Sequence, residues 1–343
     1  MDASARRALT AAIVVAAVVV AVLALWELRL LIMLLFFAFT VAAALRPSVE
    51  FLNRRRIPRG PAILAHYAVL VGGVGLLLWA VVPRAITQVQ NALGDAENEA
   101  GFKGEVLSWL NQRLERLPRV ENFFDPAVEL TLLGFEIAIG IFFVFACAAY
   151  WIFERDDAVR LVTSLVPRDH RKTVKDTWDL IDLKLGAYVR GQALLILLVA
   201  TVLSICFWAI GLPFWLLIGV FAGIVEIVPV IGPLTAGALA VGVGFTESVG
   251  IGIAAGVIVL GVRLLEDYLV IPHVLGDAVG LSPLLVIVSV AASAILFGEL
   301  AVLLAIPLAA VLGTLFEVVV LERDPAEQEV PTVLFPAQDA ETR

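Results

Sequence analysis

The sequence predicts an all-α polytopic membrane protein with about eight transmembrane segments. Of its 343 residues, 61% are hydrophobic and only 16% are charged, and the mean hydropathy is +0.98. Soluble domains are about half apolar and about a quarter charged. Several apolar runs are long enough to cross a bilayer, which takes about 20 helical residues. Proline and glycine interrupt the apolar runs of the C-terminal half, so we expect broken or hairpin segments there.

Residues 1–82 are predicted to form an N-terminal region with three spans. The first two spans follow each other so closely that only Glu27 separates them, and we expect a tight helical hairpin at this point. The three spans are residues 9–26, 28–45 and 62–82.

The loop between the second and third spans is rich in arginine. It runs from Arg46 to Gly60 and contains five arginines and one acid, Glu50. Cytoplasmic loops of membrane proteins carry an excess of basic residues. The loop is therefore predicted to be cytoplasmic, and so is the N-terminus, which lies two predicted spans earlier.

Residues 83–130 differ from the flanking segments because they are polar and of mixed charge. Apolar residues recur in this segment at helical spacing, which indicates an amphipathic helix. By the alternation of spans, the segment is predicted to be extracytoplasmic. A cap on the membrane surface, an oligomer contact and a gate are all open interpretations. The apolar positions are Val106, Leu107, Leu110, Leu114 and Leu117.

Residues 131–186 combine a fourth span with a cytoplasmic amphipathic helix. The span covers residues 131–153 and is rich in aromatic side chains. Basic residues are frequent from residue 154 to residue 185, which predicts a cytoplasmic location. An apolar stripe at helical spacing predicts an interfacial helix that leads into the membrane. The stripe consists of Val174, Trp178, Ile181 and Leu185.

Residues 187–321 are predicted to form a C-terminal transport half, and residues 322–343 a flexible, acidic cytoplasmic tail. Two parts of the transport half, 214–245 and 284–321, could each cross the membrane once or form a hairpin. The apolar segments of this half are 191–210, 214–245, 249–270, 284–297 and 300–321.

The stretch Glu226–Pro233 interrupts a long apolar run. Each of its two prolines, Pro229 and Pro233, removes a backbone donor and clashes with the carbonyl four residues back. We therefore predict a helix break near Ile231 and Gly232. Broken backbone is tolerated in a membrane only where protein or a water-filled cavity satisfies the freed groups.

Glu226 lies twelve residues after Phe214 and is predicted to be at mid-membrane depth. A carboxylate there should be protonated, paired or facing water, because a bare charge in the bilayer is costly. Two interpretations stay open. Glu226 either couples transport to protons or cations, or makes a structural hydrogen bond to the backbone that Pro229 frees.

A second group of charged residues lies near the end of the apolar run 249–270. Arg263 and Asp267 are four residues apart, and Glu266 is three residues from Arg263, so all three share a helix face. An interfacial salt bridge and a gate ion pair are both open. Glu299 follows a glycine between two apolar segments, where it is either solvated or reaches a central cavity.

From Tyr188 to Ala309, a series of short motifs carries a resemblance to a known family. The motifs are Tyr188-x-x-Gly191-Gln192, Gly211-Leu-Pro213, Glu226-x-x-Pro229-x-x-Gly232-Pro233, Glu266-x-x-x-x-x-Pro272, Gly276, Gly280-Leu-Ser-Pro283, Phe297-Gly298-Glu299 and Ala305-Ile-Pro307-Leu-Ala309. The order and spacing of these motifs resemble those of the AI-2E family, also called the autoinducer-2 exporter or PerM-like permease family. It departs from common members at Ser282, where His is frequent, and at Glu299, a variable position.

The resemblance implies a bacterial inner-membrane transporter with about eight membrane segments. Some members of the family are linked to export of autoinducer-2, a furanone-type quorum-sensing signal. Others are reported as sodium(lithium)/proton antiporters. The family motif includes Glu266, which favours a functional role for this residue.

The residue patterns and the resemblance together select the candidate site residues. The candidates for transport or coupling are Glu226, Glu266, Asp267, Arg263 and Glu299. The candidates for helix breaks or hinges are Pro229, Gly232, Pro233, Pro272, Gly276, Pro283, Gly298 and Pro307. The family-motif residues at the start of the fifth span are Tyr188, Gly191 and Gln192.

No motif predicts an enzyme, a cofactor or a metal site. The sequence contains no P-loop and no evident Ser-His-Asp or Cys-His arrangement, and its three histidines are scattered. Cys147 and Cys206 lie inside apolar runs and are predicted to be small buried hydrophobes. Nucleic acid is not an expected partner, because the basic residues lie in short loops without interleaved aromatics.

We therefore predict a secondary active exporter of a small polar solute, such as an autoinducer-2-like signal, coupled to protons or other ions. A sodium(lithium)/proton antiporter is the first alternative, and a channel or non-transporting scaffold is the second. The expected partners are the lipid bilayer, a small-molecule or monovalent-cation substrate, and further copies of the chain.

Glycine-lined faces at Gly219-x-x-x-Gly223 and Gly252-x-x-x-Gly256 favour close helix packing and an oligomer. Both termini are expected in the cytoplasm.

Overall fold

The computed structural model describes residues 3–95, 124–229, 231–271, 283–328 and 330, and all regular structure in these residues is helical. The prediction of an all-α fold is confirmed. Short 3₁₀ or π turns at 168–170, 266–270, 299–304 and 325–327 accompany the main helices. The main helices are α1 (Ala3–Glu27), α2 (Arg29–Arg54), α3 (Arg59–Asp95), α4 (Phe124–Leu165), α5 (Arg171–Ala209), α6 (Trp215–Val225), α7 (Ile231–Glu247), α8 (Val249–Leu265), α9 (Pro283–Phe297) and α10 (Ala305–Val319).

The helices have the length and composition of a polytopic membrane protein. Within the described residues, six helical stretches are long and apolar enough to cross a bilayer, and four shorter apolar helices accompany them. Large apolar side chains on the outer faces of α1 and α3 are exposed, which is the expected state of surfaces that contact lipid tails. The six long stretches are 29–54, 59–84, 134–165, 168–209, 249–270 and 301–319.

The junction between α1 and α2 is not the predicted tight hairpin. The Leu28 amide donates to the Ala24 carbonyl and the Ile32 amide donates to the Leu28 carbonyl, both at 2.9 Å. These are helical i to i−4 bonds, so the backbone passes through Leu28 without reversing direction. Glu27 and Arg29 are charged, but the junction contains no glycine or proline to break the helix. The cytoplasmic N-terminus was predicted from two crossings before the arginine-rich loop, and the continuous backbone at Leu28 does not support two separate crossings there.

The predicted amphipathic segment 83–130 falls only partly within the described structure. Helix α3 continues past the third predicted span to Asp95, and α4 begins at Phe124. The fourth predicted span, 131–153, lies wholly inside α4. The apolar positions on which the amphipathic prediction depends lie outside the described residues. They are Val106, Leu107, Leu110, Leu114 and Leu117.

Two apolar clusters form the interior. The first joins α2, α3 and α4, and the second joins α5 to α6, α7 and α8. Alanine is frequent in both, which lets the helices approach closely. The first cluster contains Ala38, Ala42, Val49, Ala62, Ile63, Val144, Ala148 and Ile152. The second contains Val199, Leu203, Phe207, Leu212, Ile218, Ala222, Ala236, Ala240 and Ala255.

Helix α5 connects the two clusters. It is one continuous helix of 39 residues, so the predicted amphipathic helix and the predicted fifth span belong to the same element. The expected boundary between residues 186 and 187 falls inside it. On the α2 side Gly186 packs so closely that a Cβ there would lie 2.5 Å from the Ala43 carbonyl oxygen. On the other side Phe207 is fully buried in the second cluster.

The segment 214–245 is two helices rather than one crossing helix. Helix α6 ends at Val225, residues 226–229 form turns, and α7 begins at Ile231. The eleven residues of α6 extend about 16 Å, roughly half the hydrocarbon thickness of a bilayer. The helix break is thus confirmed, but it begins several residues before the predicted position. Pro233 is the third residue of α7, where a missing backbone donor costs no helical hydrogen bond.

The segment 284–321 also contains two helices, α9 and α10, which pack against each other. Gly298 connects them with φ at +92°, a left-handed value that suits glycine, and a 3₁₀ turn follows from Glu299. A helical hairpin therefore describes this segment better than a single crossing. Pro307 is buried in the first turn of α10, so the chain bends before it rather than at it.

Glycines create the closest helix contacts in the second cluster. A Cβ at Gly219 would lie 2.2 Å from Ser204 Oγ, and one at Gly223 would lie 2.6 Å from Ala200 Cβ. Between α7 and α8, a Cβ at Gly252 would lie 2.6 Å from the Phe245 ring. The glycine-lined faces expected from the sequence therefore pack helices within one chain, which leaves them unavailable as evidence for an oligomer.

The substitution Gly223→Ala should destabilise the fold. The added methyl group meets backbone atoms of α5, which cannot move aside as a side chain could, so we expect a loss of about 1–3 kcal/mol in the free energy of unfolding. Gly242→Ala in α7 is the matched control, because no atom lies within 4 Å of the added Cβ, and its effect should stay within about 0.5 kcal/mol. Unfolding in mixed micelles, followed by circular dichroism, measures both. Equal effects of the two substitutions would contradict the packing described for α5 and α6.

Candidate functional site

Arg263 lies at the centre of a group of three carboxylates. Its Nη1 donates to Glu226 Oε1 at 3.0 Å and to Glu266 Oε2 at 3.2 Å. Its Nη2 forms an ion pair with Asp267 Oδ1 at 3.0 Å. The two hydrogens of Nη1 thus serve two different carboxylates, which the fork geometry of a guanidinium allows. We call these four residues the Arg263 cluster.

The sequence brings three members of the Arg263 cluster together locally. Arg263 is in the last turn of α8, and Glu266 and Asp267 follow in the π turn Glu266–Val270. The spacings i, i+3 and i, i+4 predicted these two contacts. Glu226 comes from the break after α6, 37 positions earlier in the chain. Only the packing of the broken segment against α8 brings it to Arg263.

Charge and burial make the Arg263 cluster unusual. Glu226 and Glu266 are buried, whereas Arg263 and Asp267 are partly exposed. Three carboxylates share one guanidinium, so full ionisation would leave a net charge of −2. Glu266 Oε1 is also buried without a hydrogen-bond partner among the described residues. Like charges this close favour uptake of a proton or a cation, because each carboxylate disfavours ionisation of its neighbours.

The broken backbone beside Glu226 is satisfied by another residue. The Gln192 side-chain amide, from α5, donates to the Glu226 carbonyl oxygen at 3.2 Å. The last carbonyls of a helix lack helical partners, and Glu226 directly follows α6. Gln192 therefore satisfies a backbone carbonyl at the helix break, while the Glu226 carboxylate bonds Arg263. Among the described residues, the Glu226 carboxylate bonds Arg263 rather than the freed backbone to which the second interpretation of the sequence assigned it.

Gly232 allows the two broken helices to meet. A Cβ at this position would lie 1.9 Å from the Val225 carbonyl oxygen, so no other residue fits the present backbone. The Gly232 amide donates to the Val228 carbonyl at 2.9 Å and closes the turn. Gly232 thus contributes through close backbone approach rather than through an unusual dihedral angle.

The remaining predicted site residues lie elsewhere in the described helices and turns or outside the described residues. Tyr188 and Gly191 are buried in α5, and Glu299 begins the 3₁₀ turn after Gly298. Pro283 is the first residue of α9. Pro272 and Gly276 lie outside the described residues, as does the loop that contains them.

A second polar network, which sequence reasoning missed, joins α2, α4 and α5. Arg155 is buried, and its Nε donates to Asp182 Oδ2 at 2.7 Å, while its Nη2 bonds Asp179. Arg46 reaches the same Asp182 oxygen at 3.3 Å. We call these residues the Arg155 network. Its partners are 24 to 136 positions apart, so no local spacing could have indicated it.

Lys184 connects α5 with the end of the chain. Its Nζ donates to Thr314 Oγ1 at 3.2 Å and to Gln328 Oε1 at 2.9 Å, and it lies 3.5 Å from Glu317 Oε2. The first residues of the predicted tail, up to residue 328, are therefore held against the helices. This too depends on contacts between distant parts of the chain.

The chemistry available at the Arg263 cluster is the binding and release of a proton or a monovalent cation. In the part of the chain that the structure describes, no three His, Cys, Asp or Glu side chains form a preformed metal site, so binding of a sodium or lithium ion would require the carboxylates of the cluster to rearrange. The buried carboxylates are held by one guanidinium and lie beside a helix break, where a change in charge can alter the local backbone arrangement.

Comparison with known proteins adds independent information. The family model described as AI-2E family transporter matches residues 13–321. The chain is 27% identical over 288 residues to "Putative transport protein YrrI" of Bacillus subtilis (strain 168), covering 79% of this chain and 82% of the relative. It is 28% identical over 316 residues to "Putative transport protein YueF" of the same organism, covering 82% and 83%. It is 25% identical over 310 residues to "Putative transport protein MT0215" of Mycobacterium tuberculosis (strain CDC 1551 / Oshkosh), covering 86% and 84%.

Removal of the Arg263 guanidinium should leave the three carboxylates of the Arg263 cluster to repel one another. We expect Arg263→Met to lower the free energy of unfolding by about 3 kcal/mol or less, because the side chain is 30% exposed and water screens part of the loss. Adding Glu226→Gln should recover part of that loss, since it removes one of the unpaired carboxylates. Thermal unfolding of the single and double variants in detergent measures both effects.

Arg160→Met is the control for this comparison. Arg160 pairs with Asp157 on the surface of α4, where an ion pair contributes about 1 kcal/mol at most. If Arg263→Met were no more destabilising than Arg160→Met, or if Glu226→Gln gave no recovery, the Arg263 cluster would not be an electrostatically coupled unit.

Proposed function

The chain belongs to the AI-2E transporter family, and we propose that it is a secondary active exporter of a small polar solute, such as an autoinducer-2-like signal, across the bacterial inner membrane. Membership of a transporter family and several membrane-spanning helices support transport. Coupling to protons or another monovalent cation is proposed from the Arg263 cluster.

The observation that carries the proposal is the bond between Arg263 and Glu226 at the break between α6 and α7. Secondary transporters commonly place their sites at discontinuous helices, because unwound backbone can rearrange as access alternates. When Glu226 takes up a proton or a cation, its attraction to Arg263 weakens. The break can then shift relative to α8, and release of the ion restores the present contact.

A sodium(lithium)/proton antiporter is the second candidate. The observation that favours it is the excess of three carboxylates over one guanidinium in the Arg263 cluster. In this case the monovalent cation is the substrate and competes with protons for the same oxygens. Buried Glu266 Oε1, which has no hydrogen-bond partner among the described residues, offers such a cation an unused oxygen.

The proposed orientation places the Arg155 network and the segment after α10 in the cytoplasm. Arginine and lysine are frequent in the loop Arg46–Gly60 and in residues 154–185, and basic residues mark cytoplasmic loops. A homo-oligomer is also proposed from the sequence, with the polar segment of mixed charge within residues 83–130 as its candidate contact.

The variant Glu226→Gln should abolish ion-coupled transport while the protein still inserts and folds. Glutamine keeps the size of the side chain but cannot exchange a proton or neutralise a cation. Reconstituted protein is tested with a panel of small polar solutes and with sodium and lithium, with and without imposed proton and sodium gradients. Glu136→Gln is the matched control, because Glu136 is an exposed carboxylate on α4 outside the Arg263 cluster, and its coupled flux should equal that of the wild type.

The same flux measurements separate the alternatives. A coupled transporter saturates and responds to an imposed gradient, a channel conducts without coupling, and a scaffold shows neither. Exchange of sodium or lithium for protons without solute flux would favour the antiporter. Normal gradient-driven flux in Glu226→Gln would rule out the proposed role of this carboxylate.

A further inference from the structure

A large groove lies outside the Arg263 cluster, between α2, α4, α5 and α10. Its volume is about 1190 Å³, and it shares no residue with the Arg263 cluster. Its walls on α2, α4 and α10 are mainly apolar, whereas the start of α5 and the segment after α10 add polar and charged side chains. We call it the amphipathic groove. The apolar side chains that matter here are Phe36, Phe39, Trp151, Ile181, Leu315 and Val319.

Aromatic rings form one wall of the amphipathic groove. Trp151 and Trp178 stack with their ring centroids 6.0 Å apart, and the edge of Phe39 meets Trp151 at 5.2 Å. Tryptophan is enriched where membrane proteins pass from the acyl chains to the headgroups, because its ring is apolar and its N–H is polar. The wall is therefore suited to the boundary between acyl chains and headgroups.

The size and lining of the amphipathic groove do not suit a small polar solute. Pockets for small molecules are typically about 300–1,000 Å³ and surround most of their ligand. At about 1190 Å³ this groove lies just above that range, and it presents mainly apolar side chains. A long amphiphile with a polar end matches both its size and its lining.

Charges of both signs lie at the polar part of the amphipathic groove. Arg323 and Asp324 also line the groove, but Arg323 pairs with Glu317 and Asp324 accepts from the Ala326 amide. The remaining charged side chains are Lys172 and Asp176, four residues apart on α5, and Glu322, which follows α10. None of the three forms an ion pair within the part of the chain that the structure describes. The ammonium group of Lys172 can meet a phosphate, and the carboxylates can accept hydrogen bonds from a primary ammonium group. An anionic headgroup would leave the carboxylates opposed to like charge.

We propose that the amphipathic groove binds a diacyl phospholipid with a zwitterionic headgroup of phosphate and primary ammonium. The acyl chains lie against Phe36, Leu315 and Val319, and the glycerol region lies beside the two tryptophans. The phosphate is near Lys172, and the ammonium group is near Asp176 and Glu322. The bound lipid joins α10 to α2 and α4 and holds these helices together.

Native mass spectrometry of the full-length protein tests the site directly. The detergent-purified protein is titrated with phosphatidylethanolamine, phosphatidylcholine or phosphatidylglycerol, and the fraction that retains one lipid is measured. We expect at least fivefold greater retention of phosphatidylethanolamine than of phosphatidylglycerol. Phosphatidylcholine should lie between them, because its quaternary ammonium group cannot donate hydrogen bonds to carboxylates.

Two variants and one control locate the binding. Leu315→Trp fills the groove and should reduce retention of phosphatidylethanolamine at least fivefold. Lys172→Glu changes only an exposed charge, so it should fold normally and reduce retention about threefold or more. Val69→Trp on α3 alters a side chain that is 76% exposed and distant in sequence from the groove, so retention should match the wild type.

Three outcomes would overturn the proposal. Equal retention by the wild type and both groove variants would show that the lipid binds elsewhere. Stronger retention of phosphatidylglycerol would show that the headgroup assignment is wrong. A several-fold increase after truncation beyond residue 330 would show that the end of the chain itself covers the groove.

Discussion

The bond between Arg263 and Glu226 is the interaction on which the C-terminal half depends. A carboxylate and a broken helix are each costly inside a membrane protein, and both occur at Glu226. Two side chains distant in sequence stabilise these groups: Arg263 binds the Glu226 carboxylate, and Gln192 binds the Glu226 carbonyl. Helices α5, α6 and α8 must therefore converge at this point for the break to persist, and the Arg263 cluster follows from that convergence.

Helix α5 relates the Arg263 cluster to the rest of the molecule. It carries Gln192 to the helix break, and it carries Asp182 to Arg155 and Lys184 to the end of α10. Asp182 and Gln192 are ten residues apart, or about 15 Å along a helix. Because α5 is continuous, one element contacts the helix break, the Arg155 network and α10. The amphipathic groove lies between α2, α4, α5 and α10, so a bound lipid would oppose their separation.

Sequence and structure differ most where backbone direction is concerned. The close succession of two apolar runs predicted a hairpin at Glu27, yet helical hydrogen bonds continue through Leu28. Polar residues alone need not end a helix, whereas glycine and proline commonly do. Proline at Pro233 predicted a break, yet the residue lies in the first turn of α7. The position of a proline relative to the helix start, rather than its presence, decides whether it breaks the helix.

The sequence by itself determined the helical membrane fold, the family motifs, the presence of a helix break within Glu226–Pro233 and the local contacts of Arg263 with Glu266 and Asp267. These depend on composition and on spacings of three or four residues, which one helix turn brings together. Only the tertiary structure decided that Glu226 joins Arg263, that Gln192 ties the break, and that Arg155 binds Asp182. Such contacts link residues tens of positions apart, and their geometry is set by how the helices pack against one another.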